Sequence, residues 1–192
     1  MERRCEDRRV TTYPIPRPVS GDVVDLILDD HRLFETLMRE MRDSTADRAA
    51  AREAFADVLV AHGEAEEANV YPRLAKKTQD VGEEEVHHGE EEHAEINEAL
   101  LALLECRGTD TQKFDDAVEK MNEVLQHHLT EEELTILNPA REEVSDQDRA
   151  TLGAAFLEVR GTVLDQGVTV ETVRSLVEQA HREGLLPASD EE

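Results

Sequence analysis

With 192 residues, the chain is long enough for one domain with a substantial core plus an appendage. Hydrophobic residues at 39% and charged residues at 35% suit a helical globular protein, and a net charge of −25 speaks against nucleic-acid binding and against docking on anionic membranes. No apolar run approaches ~18 residues and the first residues hold no apolar signal core, so neither a membrane span nor a secretory signal is read, and the expected location is cytoplasmic.

Residues 1–20, with Pro14, Pro16 and Pro18 and no helical periodicity, are expected to form a flexible N-terminal segment. A first helix is predicted from Asp22 to about Asp43, capped by Ser20 or Asp22, with an apolar stripe of Val24, Ile27, Phe34, Met38 and Met41. His31 fills the gap between Ile27 and Phe34 at the same helical phase. Ser44 or Thr45 should cap a second helix that carries Phe55, Val58 and Leu59, continues through His62, Glu66 and Val70, and stops or kinks at Pro72. After a polar turn around Asp80 and Gly82, a third helix runs to near Gly108 with Val86, His93, Ile96, Leu100 and Leu103 on its stripe. A fourth opens at Thr109–Thr111, carries Phe114, Val118, Met121, Leu125, His128, Glu132 and Ile136, and ends around Asn138–Pro139.

Two further helices follow. Ser145 with Asp148 caps one that Gly161 should close, and Thr169 opens another that stops at Gly184 and Pro187. The fold class is therefore read as all-α: an antiparallel up-down-up-down four-helix bundle over residues 21–143, a C-terminal helical extension over residues 144–185, and an acidic tail over residues 186–192. The extension reads as a lid or brace, or alternatively as a surface for a protein partner presented by Val170, Val173, Leu176, Val177 and Ala180.

Short connections make neighbouring helices antiparallel, so the level of each histidine can be computed. His31 lies 9 residues after Asp22, His62 lies 9 before Tyr71, His93 lies 10 after Glu83, and His128 lies 10 before Asn138. At 1.5 Å per residue all four fall roughly 13–15 Å from one end of the bundle. Glu66 and Glu132 sit one turn from His62 and His128 on the same faces. His31, His62, Glu66, His93, His128 and Glu132 are thus the candidate metal ligands, because an inward ring of imidazoles with two carboxylates suits a metal and is costly to bury empty.

HxxxE by itself carries little weight, since six of the eight histidines have Glu at i+4 in this acidic chain. A single histidine on an apolar face is more often a satisfied core residue than a ligand. The conjunction of four core-phase histidines, one per helix at one level, is what points to metal. His87 and His88 lie about 120–140° from the phase of His93 and read as surface residues. His127 with Glu131 is a competing register on the fourth helix, but His128 is the one in phase with Leu125, Met121 and Ile136.

The stretches DVVDLILDDHRLFETL around His31, HGEAEEANVYP around His62 and Glu66, EEHAEI around His93, and HHLTEEELTILNP around His128 and Glu132 resemble the hemerythrin-like HHE cation-binding domains. The resemblance covers about residues 21–140. It implies a four-helix bundle holding a non-haem di-iron centre, with the four histidines as terminal ligands and Glu66 and Glu132 bridging two iron ions. Oxygen-carrying hemerythrins are similar but have HxxxH on the third helix and HxxxxD on the fourth. Here Gly89 stands at the first position of that third-helix pair, which leaves Glu90, His127 or water to complete the coordination. The harder donor set should favour ferric iron. Reaction with, or sensing of, O2, peroxide or NO is then expected in place of reversible oxygen storage.

Zinc is the rival metal, although two carboxylates placed to bridge favour a dinuclear site over one tetrahedral ion. No nucleophile–base constellation or Gly-rich phosphate loop is present, and Cys5 and Cys106 read as plain thiols. An enzyme acting on peroxide or oxygen and a non-catalytic sensor or scaffold stabilised by metal both remain open.

Overall fold

The computed structural model describes residues 13–78 and 81–187. The expectation of a flexible segment over residues 1–12, the thiol of Cys5, the polar turn at Asp80 and most of the acidic tail lie outside the described residues. All the regular structure described is helical: α1 (Val23–Arg42), α2 (Arg48–Ala65), α3 (Glu83–Leu104), α4 (Gln112–Glu132), α5 (Asp146–Gln166) and α6 (Val170–Glu183). None of these helices is long and apolar enough to cross a membrane.

Both α2 and α4 end in a widened π-helical turn, Glu66–Val70 and Glu133–Leu137, before short α-helical continuations at Tyr71–Leu74 and Asn138–Glu143. The cause is visible in the chain. Pro72 and Pro139 have no N–H and would crowd the carbonyl four residues back in an unbroken α-helix. Bonding Tyr71 N–H to the Glu66 carbonyl, and Asn138 N–H to that of Glu133, resets the ladder so that each proline enters a new first turn.

Contacts between side chains fix the helix directions. α1 meets α2 at Met41–Arg48 and again at His31–His62, while α1 meets α4 at Arg42–Glu119 and at His31–Glu132. α2 meets α3 at Arg52–Cys106 and at Glu66–His93, and α3 meets α4 at Cys106–Lys113 and at His93–His128. In each pair the numbering runs in opposite senses, which makes α1 to α4 an antiparallel up-down-up-down bundle. Arg48 pins one end: buried, it donates to the Met41 carbonyl, pairs with Asp115 and lies over the Phe114 ring.

α5 runs parallel to α1, pairing Arg149 with Asp22 and Arg160 with Asp30, and antiparallel to α2, against which Phe156 is fully buried. Burying such a ring contributes about 1.5–3 kcal/mol. α6 lies along α3, with Val173, Val177 and Ala180 buried, so its apolar stripe is used within the chain.

Three expectations need correcting. Asp47, not Ser44 or Thr45, caps α2, because the Thr45 N–H and hydroxyl are both taken by the Asp43 carboxylate in the preceding turn. Gly161 does not end α5. The helix continues to Gln166 and breaks at Gly167 (φ 74°), since packing of Val163 and Leu164 on the core outweighs the roughly 1 kcal/mol that an interior glycine costs. Residues 13–20 are extended but tethered: Tyr13 and Ile15 pack on the core, the Tyr13 hydroxyl donates to Glu40, Arg17 pairs with Asp165, and Arg160 donates to the Pro16 carbonyl.

The seat of α5 is tight where it meets the start of α1, since a Cβ built on Gly153 would lie 2.2 Å from the Gly21 carbonyl oxygen. Gly153→Ala should therefore destabilise the fold by about 1–3 kcal/mol in urea unfolding, despite the better helix propensity of alanine. An unchanged midpoint would show that this contact is not close-packed in solution.

Candidate metal centre

The bundle interior is two apolar cores separated by a polar layer. One core holds Phe34, Met38, Phe55, Leu100, Met121 and Leu125; the other holds Val24, Ile27, Tyr71, Ile136, Leu152 and Phe156. Between them lie His31, His62, Glu66, His93, His128 and Glu132, each 0–5% exposed. Each sits on the apolar stripe of its own helix, which is why amphipathic packing alone drives all six inward.

The six side chains form two triads whose donor atoms lie within 4.8 Å of one another: His31, His62 and Glu132 in one, and Glu66, His93 and His128 in the other. Both carboxylates reach both triads. Glu66 Oε2 is 3.1 Å from His62 Nε2 and 3.4 Å from His93 Nε2, and Glu132 Oε2 is 3.2 Å from His31 Nε2 and 4.0 Å from His128 Nε2. The Nε2 atoms of His93 and His128 are 3.2 Å apart. Two imidazoles bound to one first-row ion at about 2.1 Å place their nitrogens roughly 3.0–3.4 Å apart.

The donor set fits a metal for a second reason. His31 Nε2, His62 Nε2, Glu66 Oε1 and Glu132 Oε2 are buried and have no hydrogen-bond partner. The two nitrogens stand 3.2 Å and 3.1 Å from the carboxylates of Glu132 and Glu66. Buried polar atoms are almost always paired, so convergent but unbonded donors mark a place for a cation.

The outward nitrogens are all paired with carboxylates. His62 Nδ1 faces Asp30 at 3.4 Å, His93 Nδ1 faces Glu67 at 2.8 Å, His128 Nδ1 faces Glu92 at 3.0 Å, and His31 Nδ1 faces Glu133 at 3.0 Å. Each fixes a ring orientation with Nε2 pointing inward. Asp30 is itself clamped by Arg160 from α5 through two contacts of 2.7 Å.

Electrostatics follow from this packing. Burial pushes His62 and His93 toward neutrality, but the carboxylates around them prevail and hold both at about 10. Burial likewise opposes ionisation of Glu66, and the His62 and His93 cations outweigh it, leaving its carboxyl well below the usual range. His128 goes the other way: burial, with the charge of His93 beside it, lowers its pKa against the pull of Glu92. A proton thus belongs on the His93 side of the His93–His128 pair, where a metal ion would replace it.

Tyr71 fills the place beside Gly89. Its ring stacks on His93 and its hydroxyl donates toward Glu132 at 3.2 Å and Glu66 at 3.4 Å. A Cβ on Gly89 would meet that ring at 3.2 Å. Burial and the two carboxylates keep the phenol protonated, well above its ordinary range. Glu90 and His127, considered as extra ligands, are not in either buried triad: Glu90 is half-buried, pairs with His87 at 3.8 Å and lines the cavity that reaches His62, His93 and His128, and His127 faces Glu92 and Glu131. Tyr71, Arg160 and the four carboxylates on Nδ1 were not read from the sequence. The available signal was an acidic residue beside a ligand on every helix: Asp30, Glu67, Glu92 and Glu133.

Metal ions must displace the protons held by His62 and His93, so affinity should rise with pH from 6 toward 10. Calorimetric titration at pH 7.5 in two buffers of different ionisation enthalpy should count at least two protons released per filled centre, from His62 and His93, with His31, where burial lowers the pKa but the Glu132 carboxylate prevails and raises it, adding to them. Zero released protons would mean the metal-free centre is already neutral.

The model of the hemerythrin HHE cation-binding domain matches residues 22–139. The chain is 25% identical over 145 residues to a DNA nickase of Nostoc sp., spanning 74% of this chain but only 40% of that protein. It is 24% identical over 150 residues to an uncharacterized hemerythrin-like protein of Schizosaccharomyces pombe, covering 77% of this chain and 71% of the relative. No solved structure matches. With four histidines and two glutamates converging inside a matched domain that spans most of its length, this chain belongs to the hemerythrin HHE cation-binding domain family.

Proposed function

We propose that the chain holds a carboxylate-bridged di-iron centre and uses it to react with, or sense, a small oxidant: O2, peroxide or NO. The observation that supports this reading best is the sharing of Glu66 and Glu132 between the two triads, which suits two adjacent ions better than one. Each triad offers two imidazoles and a carboxylate, a donor set that first-row ions accept, and oxygen bridges with harder donors favour iron over zinc. When bound, such a centre would supply two one-electron redox equivalents.

The residues of the chain would do the rest. His31, His62, His93 and His128 present Nε2 inward because Asp30, Glu133, Glu67 and Glu92 hold their other nitrogens. Tyr71 keeps a hydroxyl proton against both bridging carboxylates. A cavity of about 190 Å³, walled by Phe34, Leu59, Ile96, Leu176 and Ala180, reaches His62, His93 and His128. At ~30 Å³ per water that is room for a few small molecules, well under the ~300 Å³ where pockets for larger ligands begin. Gly89 with Tyr71 in place of an imidazole makes the donor set harder, which favours ferric iron and redox reaction over reversible oxygen storage.

A non-catalytic reading, in which metal occupancy sets the stability of a sensor or scaffold, is favoured by one link: Arg160 of α5 holds Asp30, which holds His62. Metal loss would then loosen α5 and α6. DNA nicking, the activity in the name of the Nostoc relative, is not extended to this chain, whose net charge of −25 speaks against binding a nucleic acid.

Protein produced in iron-supplemented medium should carry about two irons per chain, with near-ultraviolet oxygen-to-ferric bands that His62→Ala abolishes. Peroxide turnover by that protein would favour the reactive reading. A large metal-dependent rise in protease resistance over residues 145–185 without turnover would favour the sensor. Zinc in place of iron would overturn the metal assignment, and no metal in either protein would overturn the centre.

A further inference from the structure

Four side chains outside the buried centre form a second constellation. α3 and α4 each carry an outward HxxxE pair, His88/Glu92 and His127/Glu131, and the antiparallel packing sets the pairs face to face. His88 Nε2 lies 3.1 Å from Glu131 Oε2 and 3.9 Å from Glu92 Oε1. His127 Nε2 lies 3.6 Å from Glu92 Oε1 and 3.5 Å from Glu131 Oε1. Donor atoms of His88, Glu92 and Glu131 all fall within 4.8 Å of one another.

Surface His–Glu pairs are common and contribute little, so the neighbours alone decide nothing. Glu92 does. It is only 7% exposed, and its Oε1 is a buried oxygen without a hydrogen-bond partner, aimed at the two outer imidazoles. Its other oxygen, Oε2, accepts from His128 Nδ1 of the inner centre at 3.0 Å. A cleft of about 460 Å³ opens at His88 and Glu131 and reaches His128 and Glu132.

We propose that His88, His127, Glu92 and Glu131 form an outer site for one divalent first-row cation, sharing Glu92 with the buried centre. Two imidazoles and two carboxylates neutralise such an ion and supply four donors of the type it accepts. Pairs of His and Glu at i and i+4 present both donors on one helical face, and two such faces close the coordination. Glu92 then joins the two sites: one oxygen binds the outer ion while the other orients His128. The cleft makes the outer position a staging point for ions bound for the interior. That last role rests on the di-metal reading of the centre, whereas the outer site itself does not.

The test is anaerobic titration of the full metal-free chain with Co2+, following visible absorption and calorimetry, in the wild type, His88→Ala/His127→Ala, Glu131→Gln and His62→Ala. The outer histidines are more than half exposed, so their loss should leave the circular dichroism spectrum unchanged. The expected result is about three equivalents for the wild type and about two for the double variant, with Glu131→Gln weakening the third by roughly tenfold or more. His62→Ala should keep the outer equivalent while the inner ones weaken. Equal stoichiometry in the wild type and the double variant would overturn the outer site. Unchanged binding in His62→Ala, with one equivalent lost in the double variant, would instead overturn the inner centre and leave the outer site standing.

Discussion

The structure depends on a closed ring of carboxylate–imidazole pairs. Asp30 on α1 holds His62 on α2, Glu67 after α2 holds His93 on α3, Glu92 on α3 holds His128 on α4, and Glu133 after α4 holds His31 on α1. Every helix gives one pair partner to the next and receives one from the last. Each donor of a carboxylate is the immediate chain neighbour of an inward ligand: it precedes the ligand on α1 and α3 and follows it on α2 and α4. That alternation is what an antiparallel bundle requires for all four links to turn the same way round the axis. Burying so many ionisable groups is expensive unless each is paired. The ring satisfies the outward nitrogens and leaves the inward ones converging, so the polar layer is tolerable in a core and unfinished without a cation.

The π-helical turns belong to the same design. On both α2 and α4 an inward glutamate, Glu66 or Glu132, stands at the edge of the turn, six or seven residues before a proline. The widened turn carries Glu67 and Glu133 around to face the neighbouring helix while Glu66 and Glu132 stay on the core side. A strict 3.6-residue ladder separates adjacent residues by ~100°, which the local widening modifies at the point where one residue must look inward and the next sideways. Single π-helical turns of this kind are frequent at functional sites.

The level of the six inward side chains was legible in the sequence because it needs only helix ends and rise per residue. The two π-helical turns fall at matching places, between His62 or His128 and the proline that follows, so they shift both levels together and preserve the coincidence with His31 and His93. The ring around them was not legible. Its members are acidic residues in a chain that has 46 of them, and adjacency to a ligand stands out only when the cross-helix partner is known. Tyr71 was hidden because Pro72 reads as a helix stop, which makes the residue before it look peripheral. Gly89 held the complementary clue, an absent side chain where an aromatic ring lies. Arg160 was hidden by Gly161: a glycine read as the end of α5 puts the arginine at a frayed terminus, whereas in the folded chain it sits in mid-helix and only 3% exposed.

Arg160 also changes what counts as the functional unit. The matched family domain ends at residue 139, yet the clamp on Asp30 comes from residue 160. Without the guanidinium, Asp30 would face His62 at 3.4 Å with its carboxylate buried and under-bonded, and His62 alone would oppose the push of burial toward the neutral acid. With it, opposing charges on both sides hold Asp30 ionised and oriented, which keeps His62 Nε2 directed at the centre. Phe156, one turn before Arg160, packs edge-on against the same imidazole. One face of α5 therefore supplies both the packing and the charge that position His62, so the four-helix bundle does not contain its whole metal site. The C-terminal extension completes it, because Phe156 and Arg160 both bear on His62, one directly and one through Asp30.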